Sequence, residues 1–520
     1  MAERHEPVNP YLSRTSRTLA GLAFAGVIAA VLAGFLPVVL LGLKEGLARS
    51  DPYLLHVIAF TLFQATLSTV LSVIIALPIA RALARRRFPG RAMIVRLFAL
   101  PLALPSIVVI LGIVGVYGAR GWLGGLFQLY GLTGILIAHV FFNFPLAARL
   151  LLARLEAVPP ESFRLAAQLG FRDRDVFLRI EWPQIAPALP GIATLIFLLC
   201  TASFAVVLTL GGGPSATTLE VAIYQALRFD FDPARAAALA LAQLAICGLL
   251  TAFAGKFAGI SYGAPPLRRY LMRFDGRNAP ARFADGLALA LGLAVLLPPL
   301  AAMVFAGLVG LSASPGIFMA TATSLGLAMA AALTGLALGW PLAQLAARSA
   351  RANRAFSVAS LAALFMPPAV LATGWFILLS RYSDVTGLAP VLVIAMNGLM
   401  ALPFVYGTLA PALRQAAAAN DRLCAGLGLT GFTRFRIVDL PTLRKPLGLA
   451  LLMAAIVSLG DLTAITLFGT QDFTTLPSLI YRQMGSYRME AAAGSALILA
   501  LFALGLITLA ERWSGQDDRA

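Results

Sequence analysis

Charge is what this sequence has least of. Only 12% of its 520 residues are Asp, Glu, Lys or Arg, about half the share of an ordinary soluble domain. Against that, 60% are apolar and the mean hydropathy is +0.86. Too little polar surface exists to cover such a chain in water, which excludes a soluble globular protein. Lysine is rarer still, since Lys44, Lys256 and Lys445 are all there are. A phosphate-binding P-loop needs Gly-Lys followed by Ser or Thr, and Gly255-Lys256 is followed by Phe257. The chain therefore carries no nucleotide site of that kind. Cys200, Cys247 and Cys424 form no Cys-x-x-Cys pair, so neither a disulfide framework nor a thiolate metal cluster is indicated. Three histidines, none beside a carboxylate or cysteine cluster, leave a membrane enzyme without a metal or nucleophile constellation.

What the chain does have is apolar length. A spanning helix takes about 20 mostly apolar residues. Twelve stretches qualify: 19–43, 57–80, 97–117, 132–152, 189–211, 234–254, 285–308, 320–344, 356–379, 388–410, 448–470 and 490–511. The expected fold is an all-α polytopic membrane protein with about twelve transmembrane helices. Pro78, Pro105, Pro298, Pro341 and Pro367 fall inside these stretches, as membrane bundles tolerate. The first sixteen residues are polar and no small-residue cleavage site follows the first apolar stretch. That stretch reads as a retained helix and not as a signal peptide.

Forty Lys and Arg against 23 Asp and Glu give a net charge of +17. The excess sits in short runs between apolar stretches, which is the pattern of topology signals and not of a nucleic-acid groove. With a cytoplasmic N-terminus, thirty-two of the forty cations fall on inside segments and eight outside. Anionic lipid and the translocation machinery retain Lys and Arg on the cytoplasmic side. Both termini are accordingly expected there. A stretch with Pro265-Pro266, Gly276 and Pro280 separates six spans from six and reads as a linker.

The two halves repeat one another. Leu165-Ala166-Ala167-Gln168-Leu169-Gly170 is followed after nine residues by Ile180-Glu181-Trp182-Pro183. Leu423-Cys424-Ala425-Gly426-Leu427-Gly428 is followed after nine by Val438-Asp439-Leu440-Pro441, 258 residues on. Pro145 and Pro403 share that offset, and Thr217-Thr218-Leu219 with Ile223-Tyr224 returns as Thr474-Thr475-Leu476 with Ile480-Tyr481. The spacing predicts a helix over 154–169, apolar at Leu155, Val158, Phe163, Ala166 and Ala167, and closed by a left-handed cap at Gly170. A second short helix follows, capped by Asp173, and Pro183 turns the chain back toward the membrane. Small residues at Ala166, Ala167 and Gly170 leave room for another protein's backbone. Two equivalent knobs imply two equivalent sockets.

Ala-Ala-x-x-Gly, nine residues, then Ile-x-x-Pro resembles the EAA loop of the membrane permeases of binding-protein-dependent ABC importers. Leu165 and Leu423 stand where that family has Glu, and Cys424 where it has Ala. The resemblance implies two parallel repeats of a type I importer permease domain in one chain. The first half is 1–256 (core 57–254, loop 154–187), 257–284 is a cytoplasmic linker, and the second half is 285–520 (core 320–511, loop 412–446). It implies that Ala166, Ala167, Gly170, Ile180 and Pro183, with Ala425, Gly428, Val438 and Pro441, couple the chain to a separate cytoplasmic ATPase homodimer. ATP and Mg would be bound by that partner, with no cofactor in this chain. A bacterial inner-membrane location and a periplasmic binding protein follow from the same likeness. Phe88-Pro89-Gly90-Arg91, Ala138-His139-Val140-Phe141-Phe142-Asn143, Leu210-Gly211-Gly212-Gly213-Pro214 and Gly485-Ser486-Tyr487-Arg488 are similar to the fused thiamine permeases of Gram-negative bacteria. Thiamine or its phosphates, delivered by a thiamine-binding protein, is then the implied cargo. A fused ferric-ion permease, or another small-solute permease of this architecture, is the neighbouring alternative.

Intramembrane charge is costly and marks candidate function. Asp461, early in the eleventh span, is an acidic group that a cationic solute could pass, or a residue hydrogen-bonded between helices. Trp375 and Phe376 could line a path for an aromatic cation, or pack against lipid and core. Glu220 lies three residues after Thr217, the spacing of a capping box, and Asp232 before Pro233 caps the sixth span. His139, alone on an apolar helix, reads as a packing residue. A twelve-helix secondary transporter is the rival class, but it would hold coupling-ion carboxylates at mid-membrane, where this chain offers Asp461 alone.

Overall fold

Apolar runs interrupted by Gly and Pro should give helices that are long where the run is clean and broken where a proline falls in the wrong register. The computed structural model describes residues 14–46, 52–125, 128–255, 273–276, 278–311, 316–365, 367–380, 382, 385, 387–470 and 473–514. All regular structure among them is helical. The first half comprises α1 (Arg14–Leu41), α2 (Pro52–Arg85), α3 (Arg91–Leu97), α4 (Leu100–Ala103), α5 (Ser106–Tyr117) and α6 (Leu132–Glu156). Short helices α7 (Pro160–Gln168), α8 (Asp173–Val176) and α9 (Trp182–Ile185) follow, then α10 (Leu189–Thr201), α11 (Phe204–Leu210), α12 (Leu219–Arg228) and α13 (Pro233–Gly255). The second half runs α14 (Ala279–Gly310), α15 (Ile317–Ala346), α16 (Ala350–Phe365), α17 (Pro368–Leu379) and α18 (Ala389–Gly426). It ends with α19 (Gly431–Arg434), α20 (Leu440–Leu459), α21 (Thr463–Phe468), α22 (Leu476–Gly485) and α23 (Met489–Ser514).

Among the described residues nine helices are long and apolar enough to cross a membrane, or eleven when each of two bent pairs counts as one span. All twelve expected stretches fall on helix, the ninth on the shorter α16 and α17. Residues 1–13, 257–272, 277 and 515–520, which carry most of the polar leader, most of the linker and Arg519, lie outside the described residues.

The prolines divide into two kinds. Pro78, Pro298 and Pro341 sit within helices as expected, whereas Pro105 and Pro367 break theirs. Both are extended caps, with φ, ψ of −55°, 135° and −60°, 134°. A proline ring disfavours helical geometry in the residue before it, and Leu104 is extended at ψ 139°. The third span therefore bends by 109° between α4 and α5.

Each half lends its leading helix to the other. α1 packs on α15 and α17, and α14 packs on α2 and α5. Both crossings depend on a glycine at the same place in the repeat. A Cβ on Gly374 in α17 would run into the Gly34 carbonyl of α1, and one on Gly112 in α5 into the Pro299 carbonyl of α14. Backbones held this close make up for the weak hydrophobic drive between helices in lipid. Gly374→Val is expected to cost about 1–3 kcal/mol by overpacking. The measurement is the melting temperature in detergent against Gly326→Val, whose Cβ meets nothing within 4 Å; equal melting would contradict this packing.

Candidate functional site

From the glycine cap to the following proline the two repeated loops have the same backbone course. In the first, the Phe171 and Gly170 amides donate to the Ala166 and Ala167 carbonyls at 3.0 and 3.2 Å. In the second, Leu429 and Gly428 donate to Cys424 and Ala425 at 2.9 and 3.2 Å. This pair of bonds is a Schellman cap, and it places Gly170 at φ +68° and Gly428 at φ +65°. After each cap a one-turn helix (α8 or α19) passes into a π-helical turn, Phe177–Glu181 or Phe435–Asp439. Single π turns inside a helix are uncommon and favour functional positions. Both turns end on a buried acid and then on a proline-led helix start, at Trp182-Pro183 and Leu440-Pro441.

One difference between the copies is legible in the chain. Pro159 and Pro160 detach α7 from α6, while Ala417 and Ala418 at the same offset let α18 run unbroken to Gly426. The helix expected over 154–169 is thus broken in the first copy.

The apolar face of the first loop points inward. Val158, Phe163, Ala166 and Val176 form a small core of the loop's own, joined by Phe171, Ile180 and Phe274. What faces outward is a second apolar set: Leu165 is 57% exposed and Leu423 64%, with Leu169 and Leu427 beside them. Ala167, Gly170 and Pro183 are exposed, as are Ala425, Gly428 and Pro441. Ile180 and Val438 are half-buried, and Ala166 is buried against the loop's core. Large exposed leucines on a folded loop mark an interaction surface.

Buried ion pairs fix each loop to the bundle. Arg81 of α2 donates through Nε to Glu181 Oε2 at 2.6 Å and through Nη2 to the Asp173 carbonyl at 3.1 Å. Arg273, from the linker, reaches Glu181 Oε1 at 2.6 Å and both oxygens of Asp275 at 2.8 and 2.6 Å. Burial alone would raise the Asp275 carboxyl, but the hydrogen bonds and charge of Arg273, with the charges of Arg85 and Arg81, hold it below the usual carboxylate range. In the second loop Arg348, in the turn after α15, grips Asp421 at 2.9 and 3.0 Å. Arg434 bridges Asp421 and Asp439, the latter at 3.4 Å. Asp173 does not cap α8 as expected; its carboxylate accepts the Gly276 amide at 2.9 Å. The acids at 181 and 439 recur at the repeat offset, and that recurrence was the available signal.

Inside the bundle the repeat is equally strict. Thr61 Oγ1 accepts the Leu219 amide at 3.0 Å, and Ser324 Oγ accepts the Leu476 amide at 2.7 Å. Each bond anchors the start of a short helix: α12, with most of its side chains buried, or α22, with about half of them buried. Glu220 does not complete the expected capping box. The helix starts one residue late, at Leu219, and Thr217 turns back to the Gly213 carbonyl. Glu220 is fully buried beside the Ala369 backbone. Asp232 does cap α13, accepting the Ala234 and Arg235 amides. His139 is buried with Nδ1 on Ser68 at 3.1 Å.

Asp461 sits in the break between α20 and α21, where its two oxygens accept the Thr463 and Ala464 amides at 3.1 Å. Its neighbour Gly460 faces Pro105. The break in span eleven thus meets the break in span three, across the two halves. Trp375 is buried, its indole nitrogen donating to the Ala30 carbonyl of α1 at 2.9 Å. Among the described residues no group of three or more His, Cys, Asp or Glu could hold a metal ion.

Comparison with known proteins gives the following. Residues 68–258 match the family model described as binding-protein-dependent transport system inner membrane component. The chain is 44% identical over 497 residues to the thiamine transport system permease protein of Brucella abortus strain 2308, covering 92% of this chain and 91% of that one. It is 42% identical over 486 residues to the protein of the same description from Escherichia coli K12, covering 90% of each. The corresponding protein of Haemophilus influenzae is 37% identical over 490 residues, again 90% of each.

Proposed function

Since the chain belongs to the family of binding-protein-dependent transport system inner membrane components and is a fused, multi-pass permease of the ABC importer class, we propose that it imports thiamine or its phosphates. The solute comes from a periplasmic thiamine-binding protein, and the work is done by a separate ATPase homodimer that binds ATP and Mg. The ATPase seats on the loops at Gly170 and Gly428, on the cytoplasmic side, where both termini also lie. The halves are 1–256 and 285–520, with 257–284 between them, and this chain needs no cofactor of its own.

The observation that carries this reading is the duplicated loop. Two identical caps, two identical π turns and two exposed leucine pairs suit a partner with two equivalent sockets. Ala167, Gly170, Ile180 and Pro183 with Ala425, Gly428, Val438 and Pro441 form or frame that surface, and Ala166 supports it from below. When the ATPase dimer closes on ATP, its clefts carry the loops toward each other. Ion pairs to α2 and to the turn after α15 pass that displacement to the bundle. The bundle opens alternately to the two sides around the meeting of the broken spans at Pro105 and Gly460. Broken helices line the solute path of many transporters, and Asp461 is the acid beside the meeting of these two breaks. A cationic solute such as thiamine passes an acid there at lower electrostatic cost.

The deciding experiment is uptake of labelled thiamine at low external concentration by a thiamine auxotroph lacking this gene, with and without the gene restored. Loss of uptake on deletion and recovery on complementation are expected. Unimpaired uptake in the deletion strain would transfer the assignment to another solute, ferric ion first.

A further inference from the structure

In the first loop, the positions at the heart of the small core are Phe163 and Val176, both buried. At the repeat offset of 258 the second loop has Asp421 and Arg434, also buried and joined in an ion pair. The second loop thus supplies one guanidinium from within, beside that of Arg348 from the turn after α15 in the same half. The first has an apolar pair there, and the guanidinium beside its buried acid comes from outside. Arg273 lies over the Phe163 ring at 4.2 Å while its fork spans Glu181 and Asp275. Phe274 packs into the same core. Asp275 reaches Arg85 of α2 at 3.2 Å, and Gly276, at φ +77°, lies against the Arg85 side chain and donates its amide to Asp173. Three residues later α14 begins, and Asp285 on it is bound at 2.7 Å by Arg86, which directly follows α2.

We propose that residues 273–276 are a structural part of the first coupling loop, with Arg273 and Phe274 as positioning residues that join this loop, and not the second, to the leading helix of the opposite half. This rests on the loops being ATPase seats, as proposed above. A push on the first loop then moves α14 directly, through four residues that α14 carries at its own start. The second loop has the Arg348 and Arg434 attachments within its own half. The two seats look the same to the ATPase and transmit differently behind their surface.

Two measurements test this on the full chain. In detergent, hydrogen exchange of the purified permease compares wild type with Arg273→Ala and Phe274→Ala. Exchange over residues 160–180 is expected to quicken about tenfold through local opening, with residues 418–438 unchanged. Phe274→Ala leaves every charge paired, so it stays informative if Arg273→Ala misfolds. In proteoliposomes with the ATPase and the binding protein, labelled thiamine moved per ATP hydrolysed is expected to fall about fivefold, the lower end of ordinary coupling free energies. A merely structural defect lowers transport and hydrolysis together and leaves that ratio alone. Arg273→Lys keeps the charge but loses the fork, and should recover part of the ratio. Unchanged exchange over 160–180, or an unchanged ratio in both alanine variants, overturns the proposal. If the wild-type complex moves nothing with ATP, the reading of the loops as seats fails, and the exchange experiment still judges the attachment.

Discussion

A chain carrying Leu165→Asp together with Leu423→Asp should reach the membrane in normal amount and bring no ATPase with it through purification. Both leucines are more than half exposed, on loops whose inner faces hold a small apolar core in the first and the Asp421–Arg434 ion pair in the second, so neither substitution disturbs the fold. What they remove is contact with a partner. Burying a leucine contributes about 1.5–3 kcal/mol, and forcing an unpaired carboxylate into the same socket costs several kcal/mol more. With one site in each half of a single complex, the combined loss is on the order of 10³-fold or greater in affinity. Single variants should keep a weakened complex, because the intact loop still holds its side. The check is ATPase recovered per permease in pull-down, with permease abundance measured independently. Full recovery in the double variant would remove the case for docking at these leucines.

The second large effect concerns the caps. Gly170 and Gly428 occupy left-handed backbone at φ +68° and +65°, and nothing stands within 4 Å of a Cβ at either position. The cost of a valine there is therefore conformational and not steric, about 1–2 kcal/mol for an L-residue and more when β-branched. The cap bonds either open or tilt the helix that presents Leu165 or Leu423. Gly170→Val and Gly428→Val should each leave an inserted, folded permease whose ATP-driven uptake drops by roughly tenfold, about 1.4 kcal/mol of lost alignment. Asparagine tolerates this conformation better, so the asparagine variants should recover much of the rate. Valine and asparagine variants with equal rates would show that the backbone angle is not what matters.

Much of this arrangement was legible in the sequence because it depends on spacing. Helical stretches, the duplication and the left-handed glycines follow from hydropathy, a fixed offset and the single residue type that takes φ near +65° without strain. What stayed hidden depends on partners distant in sequence. Phe163 reads as one residue of an amphipathic helix, and only the fold shows that its core is completed by Phe274 from a segment that looks like a simple tether. Asp173 has the residue type and place of a cap, yet the linker amide claims it. Glu220 was misplaced by one residue of helix register, which is enough to turn an N-terminal acid from a capping position into the interior. Pro105 and Pro367 resemble Pro78 in composition. Whether a proline is absorbed or breaks a helix depends on neighbouring helices replacing the lost backbone bonds, which no local pattern records. The outward leucines were present as departures from the expected glutamates, and their significance became clear only with the inner face occupied.

The exchange of leading helices sets a timetable for synthesis. Gly34 emerges from the ribosome early, but the glycine it rests on, Gly374, is 340 residues further along the chain. At about 5–20 residues per second, α1 waits roughly 17–70 seconds with its groove open to lipid or to a chaperone. Pro299 and Gly112 are joined sooner, so the latter part of the chain is seated on the earlier one before the earlier one is complete. Neither half matures alone, and a nascent chain that stalls beyond the linker leaves an unfinished product for quality control to clear.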